Sequence, residues 1–269
     1  MSAEDVKHLI DPESGQPISF LRPGWPAPAG VNAVTTLRHG GVSQPPYDGL
    51  NLADHVGDDP EHVRCNRQIL IRTLKLPSAP FWLSQVHGTT VVELRDANFT
   101  YLSTKLPAAD AACTDRHGRV CAVLTADCLP VLFCDRSGHR VAAAHAGWRG
   151  LAAGILEATV KALACPAAEL LVWLGPAIGS DAFEVGAEVR EVFVEQDALA
   201  GTAFRASENK QGEKHYLADI YALARMRLQH LGVQSIYGGH WCTVTQPDFF
   251  YSYRRDGDCG RMASLIWLT

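Results

Sequence analysis

The part of the sequence that most constrains the fold is residues 109–150, where three short apolar runs are separated by polar and glycine-containing segments. The runs at 120–124 and 131–134 are bounded by Gly, Asp or Pro, which is typical of strands buried on both faces of a sheet, and the third run, at 141–144, leads directly into His145. Asp127, Cys128 and His145 lie at the ends of these runs. Because burying such side chains is costly unless they are paired or bind a ligand, we predict a functional site where the strands end.

The rest of the sequence mixes strand-like and helix-like segments without a regular repeat. Asp59 followed by Pro60 fits an N-cap and the first helical position, and it predicts a helix that ends near Lys75. Further helices are predicted at 149–164, 188–196 and 217–231, whereas the Pro- and Gly-rich residues 11–30 are predicted to run over the surface. Neither a GxGxxG after a first strand nor a GxxxxGK[ST] motif occurs, which argues against a dinucleotide-binding fold and a P-loop. The pattern favours an α/β protein, a single domain of packed mixed β-sheets flanked by helices.

Charge, hydropathy and cysteine content exclude several classes of function. The 269 residues carry a net charge of −5 with no basic stripe, so we expect no nucleic-acid partner. No apolar stretch reaches the length of about 18 residues that spans a bilayer, so we expect no membrane partner. The eight cysteines include no CxxC pair, and the N-terminal residues lack the pattern of a secretory signal. We therefore expect a cytoplasmic protein with reduced cysteines.

Three residues of the sequence offer the donor atoms of a catalytic zinc site. His87, like Cys128 and His145, stands where a predicted strand meets a turn. Imidazole and thiolate are common zinc ligands, and three protein ligands with one open position are typical of a catalytic site. The spacing is not a zinc motif by itself, and it also fits two histidines and one free cysteine packed in the core.

The same residues also fit catalysis without a metal. Cys128 could act as a nucleophile with His145 or His87 as its base, and Asp127 or Gln85 could orient that base. A metal-bound thiolate and a nucleophilic thiolate both require a lowered pKa, so the residue types do not separate the two alternatives.

Seven short blocks of the sequence resemble the laccase-domain family, which is also labelled polyphenol oxidase, purine nucleoside phosphorylase or peptidoglycan editing factor. They follow one another in matching order, and the resemblance covers residues 30–269, which leaves 1–29 as an N-terminal leading segment. The blocks are TLRHGGVS at 36–43, NLADHVGD at 51–58, SQVHG at 84–88, ADCLP at 126–130, HAGWRG at 145–150, FEVG at 183–186 and SYRRDG at 252–257.

The resemblance implies a fold related to that of a group of cysteine hydrolases, and a single zinc ion bound by His87, Cys128 and His145. It also implies phosphorolysis of adenosine, inosine, guanosine and methylthioadenosine, together with deamination of adenosine. Copper is the less favoured metal, because a laccase needs a blue-copper site and a histidine-rich cluster that the remaining histidines do not form. Editing of a peptidoglycan precursor by a cysteine or metal hydrolase stays open as an alternative function.

The proposed chemistry gives roles to further residues. In deamination, zinc would activate a water molecule for attack on purine C6, and Asp127 or Asp110 would carry protons. In phosphorolysis, the phosphate anion requires cations, and Arg38, Arg149 and Arg254 stand in glycine-bearing blocks, although each could equally pair with a structural carboxylate. Gln85 is a candidate for a hydrogen bond to the base or the ribose. We expect purine nucleosides and phosphate as partners, and a monomer or weak homodimer.

Overall fold

The structure, a computed structural model, describes residues 6–95, 106–207 and 214–269. A first sheet has five strands, all antiparallel to their neighbours. In spatial order they are β1 (Val6–Ile10), β2 (Pro17–Leu21), β3 (Val31–Thr36), β14 (Met262–Leu268) and β6 (Val120–Thr125).

A second sheet has six strands and mixed pairing. Its two outermost pairs are parallel and its inner pairs are antiparallel. In spatial order the strands are β13 (Ser235–Gly238), β9 (Leu170–Leu174), β7 (Leu129–Asp135), β8 (Val141–Ala146), β5 (Ala111–Thr114) and β4 (Val91–Glu93).

A small third sheet and six α-helices complete the described fold. The antiparallel third sheet has the order β10 (Glu184–Gly186), β12 (His215–Ala218) and β11 (Phe204–Ser207). The helices are α1 (Pro60–Leu74), α2 (Trp148–Ala153), α3 (Ile155–Leu163), α4 (Ala187–Val194), α5 (Ile220–His230) and α6 (Tyr253–Asp256), with two 3-10 helices at Ala167–Glu169 and Ala198–Ala203. Within the described residues, no helix combines the length and the apolar character needed to span a membrane.

The two large sheets pack face to face between outer helices. Alternate residues of β7 show this arrangement, since Phe133 belongs to the core shared with α3 and α5, whereas Leu132 belongs to the core shared with β6 and β14. On the far side, Leu70 of α1 packs in the same cluster as Leu265 of β14. Every residue of β6, β7 and β8 is buried, as the continuous apolar runs predicted.

The structure confirms the predicted fold class, an α/β single domain with several mixed sheets flanked by helices. It also confirms the start of α1, where the Asp59 side chain accepts a hydrogen bond from the backbone N–H of Glu61 and Pro60 is the first helical residue. That helix ends before Lys75, as predicted.

Three predicted segments differ in the structure. The helix predicted at 149–164 is two helices, because Gly154 adopts a left-handed conformation with a φ of 102° between α2 and α3. Residues 11–30 are not all surface loop, since β2 lies among them and its Phe20 is buried. The helix predicted at 217–231 begins only at Ile220, where the Asp219 side chain caps it, and β12 occupies the residues before.

Candidate metal centre

Strand register brings His145 and Asp110 together at one end of the second sheet. His145 lies on the face of β8 that also carries Ala143, which packs toward the first sheet. The antiparallel pairing of β5 with β8 continues to Asp110, whose backbone carbonyl accepts a hydrogen bond of 2.7 Å from the His145 N–H. The Asp110 carboxylate then accepts a second bond from His145 Nδ1 at 2.9 Å. The Nε2 atom of His145 is therefore the nitrogen left for a ligand.

Cys128 and His87 reach the same place from two neighbouring loops. Cys128 immediately precedes β7, and its Sγ lies 3.8 Å from Nε2 of His87. His87 has a φ of 59°, a left-handed conformation that is uncommon outside glycine. The Asp110 carboxylate accepts hydrogen bonds from the N–H groups of Val86, His87 and Gly88, at 3.2, 2.9 and 2.7 Å. These bonds hold the His87 loop against β5.

The three side chains predicted as metal ligands thus converge. One donor atom from each of His87, Cys128 and His145 lies within 4.8 Å of the others, and the two imidazole rings meet edge to face with centroids 4.7 Å apart. Ligand atoms around a tetrahedral zinc ion are separated by about 3.3–3.6 Å, which follows from Zn–S and Zn–N bonds of about 2.3 and 2.1 Å. Small side-chain movements would bring all three donors onto one ion.

Gly147 provides an independent indication that the space between the donors is reserved. A Cβ atom on Gly147 would lie 2.8 Å from Cδ2 of His87 and 2.9 Å from Sγ of Cys128, closer than side chains pack. The backbone of Gly147 has a φ of −62° and a ψ of 155°, which any residue can adopt, so its conformation does not require glycine. Glycine is required instead by the close approach of the His87 and Cys128 side chains. The donor set of two imidazoles and one thiolate fits a borderline-soft divalent ion such as zinc.

Electrostatics favour the thiolate form of Cys128. Burial by itself would raise the pKa of this thiol, but the charge of His145 and hydrogen bonds from both imidazoles outweigh it and lower the pKa to about 6. Burial also opposes charge on His145, yet the Cys128 thiolate and Asp110 raise the pKa of the imidazole to about 9. Burial likewise acts against charge on Asp110, but His145 and the N–H groups of the loop keep the pKa of the carboxyl below its usual value. A deprotonated sulfur is the form that binds metals.

The donors lie in a cavity of about 550 Å³, a volume within the usual range for small-molecule sites. Its lining contains both apolar and basic side chains. The apolar side chains include Leu124, Ile178, Phe183 and Ile220, and the basic ones include His55, Arg149, Arg254 and Arg261. Among the described residues of the lining, Asp127 is the single carboxylate.

The other predicted site residues have different environments. Arg149 and Arg254 line the cavity, and no described carboxylate forms an ion pair with either of them. Arg38 is not among the described residues that line the cavity. Its guanidinium pairs with Asp48 at 3.1 Å and covers the Tyr251 ring. Its cation is thus held by structural partners.

Three further predicted site residues use their side chains for hydrogen bonds within the protein. Gln85 lines the cavity, but its amide bonds both the N–H and the carbonyl of Leu124, at 2.7 and 2.8 Å. Asp127 lines the cavity with its carboxylate bonded to Thr243 Oγ1 at 2.5 Å and to the backbone N–H of Arg254 at 2.6 Å. Asp110, the second carboxylate considered for proton transfer, is fully buried behind His145 and is not part of the lining.

Sequence reasoning missed Arg261, His55 and Tyr253 of the lining. His55 belongs to the NLADHVGD block and Tyr253 to the SYRRDG block, so the resemblance carried a signal for both. Arg261 follows a glycine outside all seven blocks, and only the fold brings it to the cavity.

The chain is similar to a family of known sequences and to bacterial proteins that carry an enzyme name. The profile of the family described as "Multi-copper polyphenol oxidoreductase laccase" matches residues 32–269. The chain is 56% identical over 249 residues to a protein of Escherichia coli named purine nucleoside phosphorylase YfiH, and the alignment covers 93% of this chain and 98% of that protein. It is 55% identical over 250 residues to a purine nucleoside phosphorylase of Pseudomonas aeruginosa, with the same coverage of 93% and 98%.

Two crystal structures share the fold. A protein of Neisseria meningitidis superimposes with a TM-score of 0.85 and 52% identity, over 93% of this chain and 98% of that one. YlmD of Geobacillus stearothermophilus superimposes with a TM-score of 0.83 and 32% identity, over 93% of this chain and 96% of that one.

Proposed function

The chain belongs to the multi-copper polyphenol oxidoreductase laccase family, and we propose that within it this protein is a zinc-dependent purine nucleoside phosphorylase. Its substrates are adenosine, inosine, guanosine and methylthioadenosine, and it also deaminates adenosine. One observation carries the proposal: His87, Cys128 and His145 converge at a cavity that is lined by both apolar and basic side chains. The names of the relatives, which are purine nucleoside phosphorylases, support the substrate class.

His87, Cys128 and His145 hold the zinc ion, and the Cys128 thiolate supplies the negative charge that offsets part of the charge of the metal. When bound, zinc acts as a Lewis acid and makes water a stronger nucleophile near neutral pH. The family description mentions several copper ions, but the described residues contain only one group of His, Cys, Asp and Glu close enough to bind a metal. That single group, with one thiolate and two imidazoles, supports zinc over a multi-copper centre.

Arg149 and Arg254 bind phosphate in this proposal. The Arg149 guanidinium stacks on the Trp148 ring at 4.4 Å, and Arg254 is anchored through Nη1 to the carbonyl of Glu184 at 3.0 Å. Both side chains are thereby oriented while donors remain for an anion. Arg261, held by the carbonyls of Cys259 and Gly260, adds a third cation to the same cavity.

Apolar side chains of the lining receive the purine ring, and Asp127 is the carboxylate that exchanges protons with the substrate. In phosphorolysis, a phosphate oxygen forms a bond to C1′ of the ribose while the C1′–N9 bond breaks, and the base leaves with a proton. In deamination, water adds its oxygen to C6 and the amino group leaves as ammonia. Because their side chains are held by other parts of the protein, we assign Gln85 to shaping the cavity and Arg38 to a structural role beside it, rather than either of them to direct contact with substrate.

Incubation of the zinc-loaded protein with adenosine, with and without phosphate, tests the proposal. We expect adenine and ribose 1-phosphate only when phosphate is present, and inosine in both conditions. Chromatography of the products provides the measurement. Absence of both products from the loaded protein would rule out the proposed function.

A second candidate function has a specific observation in its favour. Cys128, His145 and Asp110 form a series in which the carboxylate orients the imidazole beside the thiolate, as in cysteine hydrolases. Hydrolysis of a peptidoglycan precursor would use this series without metal. Turnover of such a substrate that survives complete chelation and disappears in Cys128→Ala would favour the metal-free hydrolase, whereas no turnover of such a substrate, with or without metal, would contradict it.

A further inference from the structure

We propose that Asp110 is the positioning residue of the metal centre, and that it fixes both histidine ligands at once. The inference rests on the metal site of the proposed function and assigns a role to a residue outside the cavity lining. Asp110 is fully buried, with both oxygens engaged by groups that belong to the two ligands or their loops.

Its first contact fixes the ring of His145. A carboxylate can only accept, so the 2.9 Å contact with His145 Nδ1 makes Nδ1 the protonated nitrogen. The antiparallel pairing of β5 with β8 holds the two backbones in register, which removes the freedom of either side chain to shift along the sheet. Nε2 is then directed toward the space shared with Cys128. Carboxylates that bond the second nitrogen of a metal-binding histidine orient the ring in this way.

Its second contact fixes the backbone of His87. The N–H groups of three consecutive residues, Val86, His87 and Gly88, converge on the Asp110 carboxylate. Since His87 is held at a φ of 59°, a conformation that is unfavourable for a non-glycine residue, these bonds stabilise a loop shape that the chain would otherwise leave. The buried negative charge at position 110 is therefore what places the exposed ligand beside the buried one.

Asparagine cannot replace this carboxylate, although it has nearly the same shape. An amide has one oxygen to accept hydrogen bonds, and its NH₂ group would face either the loop N–H groups or the Nδ1–H of His145. One of the two ligands would lose its support, whichever way the amide turned.

Titration of full-length Asp110→Asn with Co²⁺ tests the inference, because cobalt in place of zinc gives visible absorption bands that report the thiolate and the coordination geometry. We expect the affinity for Co²⁺ to fall by about 10- to 100-fold and the bands to change shape. Asp135→Asn is the matched control, since the carboxylate of Asp135 also accepts backbone hydrogen bonds, from His139 and Arg140, in a turn away from the cavity. It should bind Co²⁺ as the wild type does.

The outcomes separate this inference from the proposed function. Wild-type affinity and an unchanged spectrum in Asp110→Asn would overturn the role of Asp110 alone. Failure of the wild-type protein to bind Co²⁺ or Zn²⁺ would overturn the metal site of the proposed function as well.

If Asp110→Asn fails to fold, a measurement on the wild-type protein tests the role of Asp110 instead. Nuclear magnetic resonance of the zinc-loaded protein with ¹⁵N-labelled histidine distinguishes the two ring nitrogens. We expect His145 to carry its proton on Nδ1, in a strong hydrogen bond, and to bind the metal through Nε2. Binding through Nδ1 would overturn the inference, because Asp110 could not then accept from that atom.

Discussion

At the scale of single residues, the chemistry of the site follows from what surrounds each donor. A buried cysteine ordinarily has a raised pKa, as at Cys134, where burial raises the pKa to about 12. Cys128 is half-buried, and burial acts in the same direction on its pKa, yet the two imidazoles reverse the shift and lower the pKa to about 6. The difference between a packing cysteine and a metal ligand is therefore set by the neighbours of the sulfur.

Substitution of Gly147 tests whether the space between the ligands is reserved. In Gly147→Ala, the new Cβ would push His87 and Cys128 apart, and we expect zinc affinity to fall by at least about tenfold while the fold is retained. Competition with a chromogenic chelator measures the affinity. Gly201→Ala is the control, because its Cβ would meet no atom closer than 3.5 Å. An unchanged zinc affinity in Gly147→Ala would refute the close approach.

Substitution of Arg149 tests where phosphate binds in the cavity. Because Arg149 has no carboxylate partner among the described residues, its charge is available to an anion, and loss of one charge-assisted contact costs about 1.5–3 kcal/mol. We expect Arg149→Gln to raise the KM for phosphate by about 10- to 100-fold and to leave the KM for inosine nearly unchanged. Arg136→Gln, at a surface arginine bonded to Ser235, should leave both constants unchanged. An equal rise in both would place Arg149 away from the phosphate.

At the scale of elements, local sequence predicted the strands better than the breaks between helices. The apolar runs of β6, β7 and β8 are visible because strands buried on both faces leave no polar alternation. The break at Gly154 was missed because the Ala- and Leu-rich pattern continues through it, and a single glycine is tolerated inside many helices. The strand β2 was missed because the prolines around it obscure a short apolar run.

One ion pair joins two of these elements and predicts a dependence of stability on pH. Arg72 of α1 donates two hydrogen bonds to the buried Asp11 at the end of the hairpin between β1 and β2, at 3.0 and 2.7 Å. The hydrogen bond from Arg72 is the main reason that the pKa of Asp11 lies well below its usual value, while burial acts in the opposite direction. A carboxyl with a lowered pKa in the folded state stabilises the protein above its unfolded pKa of about 4 and loses this effect as the pH falls further.

We therefore expect Asp11→Asn to lower the melting temperature by about 2–6 °C at pH 7 and to approach the wild type as the pH falls below about 4. Thermal unfolding followed by circular dichroism across this pH range measures the difference. Glu13→Gln removes a mostly exposed partner of the same arginine, and its effect should be much smaller. A difference between Asp11→Asn and wild type that stays constant down to pH 2 would contradict this account.

At the scale of the whole molecule, the cavity is assembled from segments that are distant in sequence, from His55 to Arg261. Residue chemistry named His87, Cys128 and His145 as candidates, and the family resemblance, not their spacing, favoured a metal site over a nucleophile or packed core residues. The role of Asp110 could not be read in the same way, since it depends on the register of β5 with β8, which local sequence does not determine. The division of the chain at residue 30 stays a prediction, although β1 and β2 join the first sheet.

The central claim is that one divalent ion binds where His87, Cys128 and His145 meet. Elemental analysis of protein purified without added metal tests it most directly, with His87→Ala as the comparison because this ligand is exposed and its loss should leave the core intact. We predict about one zinc per chain in the wild type and almost none in His87→Ala. A wild type without divalent metal, or equal zinc in both proteins, would contradict the claim.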